Sequence, residues 1–141
     1  MYNNILIAYD GSAGSKNALN HAISITKAFN SKLTAIWIGG YRSYYHETVA
    51  EIEEENKSIL IYAAKINKEL QNISKQENIE IDFVYLQGNP AKLIVEFAQN
   101  NHIDLLVIGC RGHSNLWGNS LGQVADKVSE NAKCNVLIIR K

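Results

Sequence analysis

Leu105-Leu106-Val107-Ile108-Gly109-Cys110-Arg111-Gly112 is the stretch on which the fold turns. Four branched apolar residues stand in a row without the polar alternation of a half-exposed strand, which is the pattern of a strand covered on both faces. Two glycines then end it, and after nine further residues Gly122-Gln123-Val124 opens a helical pattern. A buried strand, a glycine-spaced loop and a helix start follow one another.

Working outward, the chain holds four more short runs rich in branched and aromatic residues: Ile5 to Tyr9, Leu33 to Ile38, Ile81 to Leu86 and Val136 to Ile139. The first shares the unbroken apolar character of Leu105 to Ile108, so these two belong near the middle of a sheet. Helical spacing separates the strands. It is carried by Ala18, Ala22, Ile25 and Phe29, by Ile94, Phe97 and Ala98, and by Leu121, Val124, Ala125 and Val128. The longest stripe runs through Val49, Ile52, Ile59, Ala63, Ile66, Leu70 and Ile73, broken by Asn56. Pro90 suits the first turn of the third helix.

Strands alternating with helices predict an α/β fold: a single open parallel five-stranded sheet with helices on both faces, Rossmann-like, because parallel strands need crossover connections. The whole of residues 1–141 reads as one domain, with no repeat or linker to divide it. In such sheets ligands bind beyond the carboxyl ends of the strands. The loops after Tyr9, Ile38, Leu86 and Ile108 are therefore the ones to inspect.

Composition narrows the function. Hydrophobic residues at 46% and charged residues at 20% are ordinary globular usage, which argues against disorder and fibrous classes. Fourteen basic residues balance fourteen acidic ones without forming a stripe, so nucleic acid is not the expected partner. Met1 to Gly11 runs into a strand pattern with no basic leader, and no apolar run approaches the ~20 residues of a membrane span, so a cytoplasmic protein off the membrane is expected. Cys110 and Cys134 are too few for a disulfide framework and fit a reduced compartment. His21, His46, His102 and His113 lack metal-ligand spacing, and Glu51, Glu53, Glu54 and Glu55 read as the solvated first turns of a helix. No metal site is expected.

The glycines after the fourth strand are the motif that carries chemistry. Glycine allows positive φ and close approach of a ligand, and the N–H groups of a helix start favour phosphate oxygens. Glycine also serves plain turns, so the spacing alone decides nothing. A lysine-bearing P-loop and the G-x-G-x-x-G dinucleotide fingerprint are both absent, which disfavours dedicated NTPases and dehydrogenases.

Here the sequence resembles the universal stress protein family, in its nucleotide-binding branch. The residues that carry the resemblance are Ile5-Leu6-Ile7-Ala8-Tyr9-Asp10-Gly11-Ser12, Gly88-Asn89-Pro90-Ala91, Asp104 to Gly109, the closing Cys134 to Arg140, and Gly109, Gly112 and Gly122 in the family's G-x2-G-x9-G-[ST] spacing. The resemblance implies strand order 3-2-1-4-5, which sets Asp10 and Gly109 at one pocket, and an adenine nucleotide as ligand: ATP, or ADP or AMP, with or without Mg. It implies binding by Ala8, Tyr9 and Asp10 at the end of the first strand and by Ile38 at the end of the second. Ile108, Gly109, Arg111, Gly112, Gly122, Gln123 and Val124 complete the implied site. A homodimer through strand 136–139 is implied as well.

One position departs from the family pattern. Gln123 replaces the hydroxyl residue after the last glycine, and it is open to two readings: an amide donor to phosphate, or the partner of Ser120 in a capping box. Asp10 is likewise open to ligand binding or to capping of the first helix, with the resemblance favouring binding. Arg111 is read as a phosphate contact against simple solvation, Cys110 as a small filler, and Tyr41, Tyr44 and Tyr45 as a loop that covers the site or serves a subunit contact. No catalytic constellation is visible. The expected function is a regulatory adenine-nucleotide-binding module in stress response; the alternatives are a homodimeric interaction protein with an empty pocket and a slow ATPase.

Overall fold

The computed structural model describes residues 1–40, 48–111 and 122–140. Along the chain the elements are β1 (Asn4–Ala8), α1 (Ala13–Phe29), β2 (Lys32–Gly39), α2 (Val49–Glu77), β3 (Ile81–Gln87), α3 (Pro90–Asn100), β4 (Leu105–Gly109), α4 (Gln123–Asn131) and β5 (Asn135–Ile139). The strands form one parallel sheet in the order β3-β2-β1-β4-β5. The expected fold and strand order are both found.

The unbroken apolar strands are the inner ones. Ile5, Leu6 and Ile7 of β1 have no exposed surface, and Leu105, Leu106, Val107 and Ile108 of β4 are buried beside them, with Ile5 opposite Leu105 and Ile7 opposite Val107. One face of the sheet packs on α1 and α2 through Ala18, Leu19, Ala22, Ile23, Ile66 and Leu70. The other packs on α3 and α4 through Ala91, Ile94, Ala98, Ala125 and Val128. Each crossover buries one helical stripe against alternate residues of the strands.

The long stripe of α2 is buried only in part. Ala63, Ile66 and Leu70 are covered, while Val49 is 72% exposed. Geometry explains the difference. A helix of 29 residues runs about 43 Å at 1.5 Å per residue, whereas β3 with 7 residues spans about 23 Å. The helix outruns the sheet it packs on, and its first turns have no strand beneath them. Phe29, at the end of the α1 stripe, is also exposed and meets the Tyr2 ring edge-on instead of entering the core.

Pro90 occupies the first turn of α3 behind the Asn89 cap, as the sequence predicts. Since β1 leads to β2 on one side and β4 to β5 on the other, the connections diverge between β1 and β4. That divergence leaves a crevice at the carboxyl ends of the strands.

Candidate functional site

A cavity of about 390 Å³ lies at that crevice, on the face covered by α3 and α4. Its floor is apolar, made by Ala8, Ile36, Ile38 and Ile108 from the strand ends and by Pro90 and Ile94 from α3. Its polar rim comes from Asp10, Ser12 and Ser15 at the start of α1, from Gly109 to Arg111 after β4, and from Gly122 to Ala125 at the start of α4. Among the sequence-predicted residues, Ala8, Tyr9, Asp10, Ile38, Ile108, Gly109, Arg111, Gly122, Gln123 and Val124 all line it. Gly112 lies outside the described residues, as do Tyr41, Tyr44, Tyr45, His46, His113 and Ser120.

The turn after β1 is tied by side chains. Ser12, not Asp10, caps α1, its hydroxyl accepting from Ser15 N–H at 3.3 Å. Asp10 acts one step earlier: its Oδ1 accepts from Ser12 N–H at 2.9 Å, and its own N–H donates to Ser15 Oγ at 3.3 Å. The capping reading of Asp10 is thus corrected. An Asp two residues before a cap closes an Asx turn that hands the cap position to the following serine. The carboxylate remains part of the cavity rim.

Helix α4 starts differently. Its cap is Gly122, which has no side chain to offer, and the helical ladder begins with Asp126 N–H donating to Gly122 O at 2.9 Å. The N–H groups of Gln123, Val124 and Ala125 precede that first bond and belong to residues on the cavity wall. Gln123 is therefore the first helical residue. A capping box would place Gln123 third in the helix, and its other member, Ser120, lies outside the described residues. Among the described residues the helix begins with Gln123, behind Gly122 in extended backbone, while Leu121 of the expected stripe lies outside the described residues.

The two rims touch. Gly122 N–H donates to Cys110 O at 2.6 Å, and a Cβ added at Gly14 in the first turn of α1 would stand 2.5 Å from the Arg111 carbonyl oxygen. Only glycine lets the helix approach that backbone so closely. Cys110 is buried, its thiol 3.5 Å from Arg140 O, which matches a packed filler.

Several lining residues escaped the sequence reading. Ile36, Trp37, Pro90 and Ile94 sit on ordinary strand and helix patterns. Gly14, which does not line the cavity but packs on the Arg111 backbone, gave one weak signal as a glycine inside a helix start, where alanine is favoured. Below the floor, Tyr9 turns its ring into the opposite face of the sheet and donates to Glu69 Oε2 at 3.4 Å. Burial first, and the Glu69 carboxylate second, push the Tyr9 hydroxyl up to about 12. It stays a neutral donor.

A divergence of parallel strands over an apolar floor, rimmed by two helix starts, defines an α/β protein with a cavity at its topological switch point. The chain belongs to the universal stress protein family, whose model matches residues 1–140. It is 33% identical to a universal stress protein of Methanocaldococcus jannaschii over 100% of this chain and 84% of that one. Among solved structures it resembles the universal stress protein UspA from Lactobacillus plantarum, 25% identical with a TM-score of 0.88, covering 99% of this chain and 98% of that one. A universal stress protein solved in complex with cAMP is 27% identical with a TM-score of 0.71, over 99% and 97% of the two chains.

Proposed function

We propose that this chain binds an adenine nucleotide and acts as a regulatory module of the stress response. The adenosine part lies over the apolar floor, held by Asp10 and by the backbone at Ile38, with Ala8, Tyr9 and Ile108 around it. The phosphates lie along Gly109, Arg111, Gly112 and Gly122, toward the amides of Gln123 and Val124. The observation that carries this reading is a cavity that joins an apolar floor to a helix start whose first N–H groups are left to its cap glycine. Such a terminus favours anions through its N–H donors and its dipole. The relative solved with cAMP supports the choice of adenine nucleotide.

With Gln123 at the first position of α4, its side-chain amide can add a donor where relatives carry a hydroxyl, while backbone amides do most of the holding. Asp10 is the one carboxylate among the described lining residues, and it already accepts from Ser12 N–H. The site therefore suits a nucleotide that brings its own Mg when it carries a triphosphate. At most slow hydrolysis is expected. Cys110 and Cys134 are free thiols, which fits a cytoplasmic setting.

We also place a homodimer at β5, since an edge strand with apolar Val136, Leu137 and Ile138 needs cover. Isothermal titration of nucleotide-free protein with ATP, ADP, AMP and cAMP, on material sized by light scattering, tests both parts. Heat with at least one nucleotide and a dimer mass are expected. No heat with any of them rejects the binding reading, and a monomer at micromolar concentration rejects the dimer.

A further inference from the structure

Tyr62 lies in the middle of α2, on the face of the sheet opposite the cavity, yet its hydroxyl donates to the carbonyl oxygen of Asp10 at 2.5 Å. The bond passes close over Gly11, whose φ of +82° suits glycine and at which an added Cβ would stand 3.0 Å from the Tyr62 hydroxyl. The Tyr62 ring is itself held, meeting Trp37 edge-on with centroids 5.0 Å apart, while Trp37 stacks on Tyr85 at 5.4 Å. The hydroxyl thus has one place to go.

Asp10 is consequently gripped from different elements. Its N–H and carboxylate bond to Ser15 and Ser12 at the start of α1, and its carbonyl is taken by α2. The two α1 bonds are local and would move with the turn as a unit. The Tyr62 bond ties that turn to a separate helix, across 52 positions of sequence. Losing it removes the tie from α2 and loosens the peptide plane that aims the Asp10 side chain.

We infer that Tyr62 is a positioning residue for the nucleotide site, which it serves by fixing the Asp10 backbone from beneath so that the carboxylate meets the adenosine part of the ligand. The inference rests on the function proposed above. Burial, and then the charges of Asp10 and Glu69, push the Tyr62 hydroxyl up from its ordinary range, so it remains a proton donor at neutral pH.

Tyr62→Phe removes the donor and keeps the ring against Trp37, so the fold should survive. Titration with AMP should show Tyr62→Phe weakened about fivefold, the worth of one hydrogen bond. Asp10→Asn should also bind more weakly, and the double variant no more weakly than Asp10→Asn alone. Additive losses would mean that Tyr62 acts by some route other than Asp10 and would overturn the inference, as would a Tyr62→Phe affinity equal to that of the unaltered protein. In the ligand-free state, amide hydrogen exchange from Gly11 to Ser15 should quicken about fivefold in Tyr62→Phe while α3 stays unchanged. Unchanged exchange there also overturns it. If the unaltered protein binds no nucleotide, the proposed function fails, and the exchange rates still decide whether Tyr62 positions Asp10.

Discussion

Two helices begin at the cavity rim. At the start of α1 the Ser12 hydroxyl accepts from Ser15 N–H, Ser15 Oγ donates to Ser12 O and accepts from Asp10 N–H, and Asp10 Oδ1 takes Ser12 N–H. At the start of α4 the cap is glycine, and its only backbone donor is given to Cys110 O. Helices α2 and α3 follow α1, with Thr48 accepting from Glu51 N–H and Asn89 from Lys92 N–H. Among the described residues, three of the four helices thus close their N-termini with a side chain of their own, and α4 does not. Donors satisfied within the protein fix a turn; donors left to a glycine cap are available to an anion.

The largest effect is expected where α4 is given what α1 already has. Gly122→Asp places a capping carboxylate at the helix start, with a charge of the same sign as phosphate. The backbone there, φ −66° and ψ 160°, suits any residue, and the new Cβ would stand 3.1 Å from Cys110 O, a contact that a small shift relieves. ATP affinity should fall about thirtyfold, or ~2 kcal/mol, through repulsion and loss of the donors. Adenosine, which has no phosphate, should bind within about twofold of its original affinity, and thermal stability should hold or rise. Titration with both ligands checks this. Equal losses for adenosine and ATP would mean that α4 does not distinguish phosphate, and the contrast between the helices would then concern stability alone.

The contrast also shows what could be read from sequence. The fold was legible because unbroken apolar runs at Ile5 to Tyr9 and Leu105 to Ile108 mark central strands, and burial of both faces is a local property of each run. Strand ends pointed to the loops to inspect, and the family resemblance named the residues from Ala8 to Val124, of which the described ones line the cavity. What stayed hidden depends on pairs distant in sequence. Ile94 reads as helix core until α3 is seen to hang over the strand ends, and Tyr62 stands beside the long apolar stripe of its helix with no local pattern to single it out. The Ser120 and Gln123 capping box was a plausible local pattern; Gln123 stands first in α4 behind Gly122, and Ser120 lies outside the described residues. Val49 continued a stripe correctly in phase, yet nothing local says where the sheet beneath it stops.

An intermediate effect is expected at the contact that joins the two helix starts. Gly14→Ala improves local helix propensity by up to about 1 kcal/mol, but it puts a Cβ 2.5 Å from the Arg111 carbonyl oxygen. That atom is backbone and belongs to the loop leading toward α4, so relief requires α1 and the loop to part. A net loss of about 1–3 kcal/mol is expected, with Tm lower by roughly 3–12 °C in thermal denaturation. A melting temperature equal to the original would show that the two rims slide freely past each other, and the cavity would then have no fixed width.

The smallest effect should come from removing the α1 cap. Ser12→Ala loses the hydroxyl that accepts from Ser15 N–H, at about 1 kcal/mol of stability. The bond from Ser12 N–H to Asp10 Oδ1 uses backbone and survives, as does the one from Asp10 N–H to Ser15 Oγ and that from Tyr62 to Asp10 O. Asp10 therefore keeps its place, and ATP affinity should change by less than about twofold even as denaturant melts record the lost cap. If Ser12→Ala instead weakened ATP as strongly as Gly122→Asp, the donors at the start of α1 would be serving the ligand too. The division of labour between a helix start that holds the turn and one that holds the anion would then have to be given up.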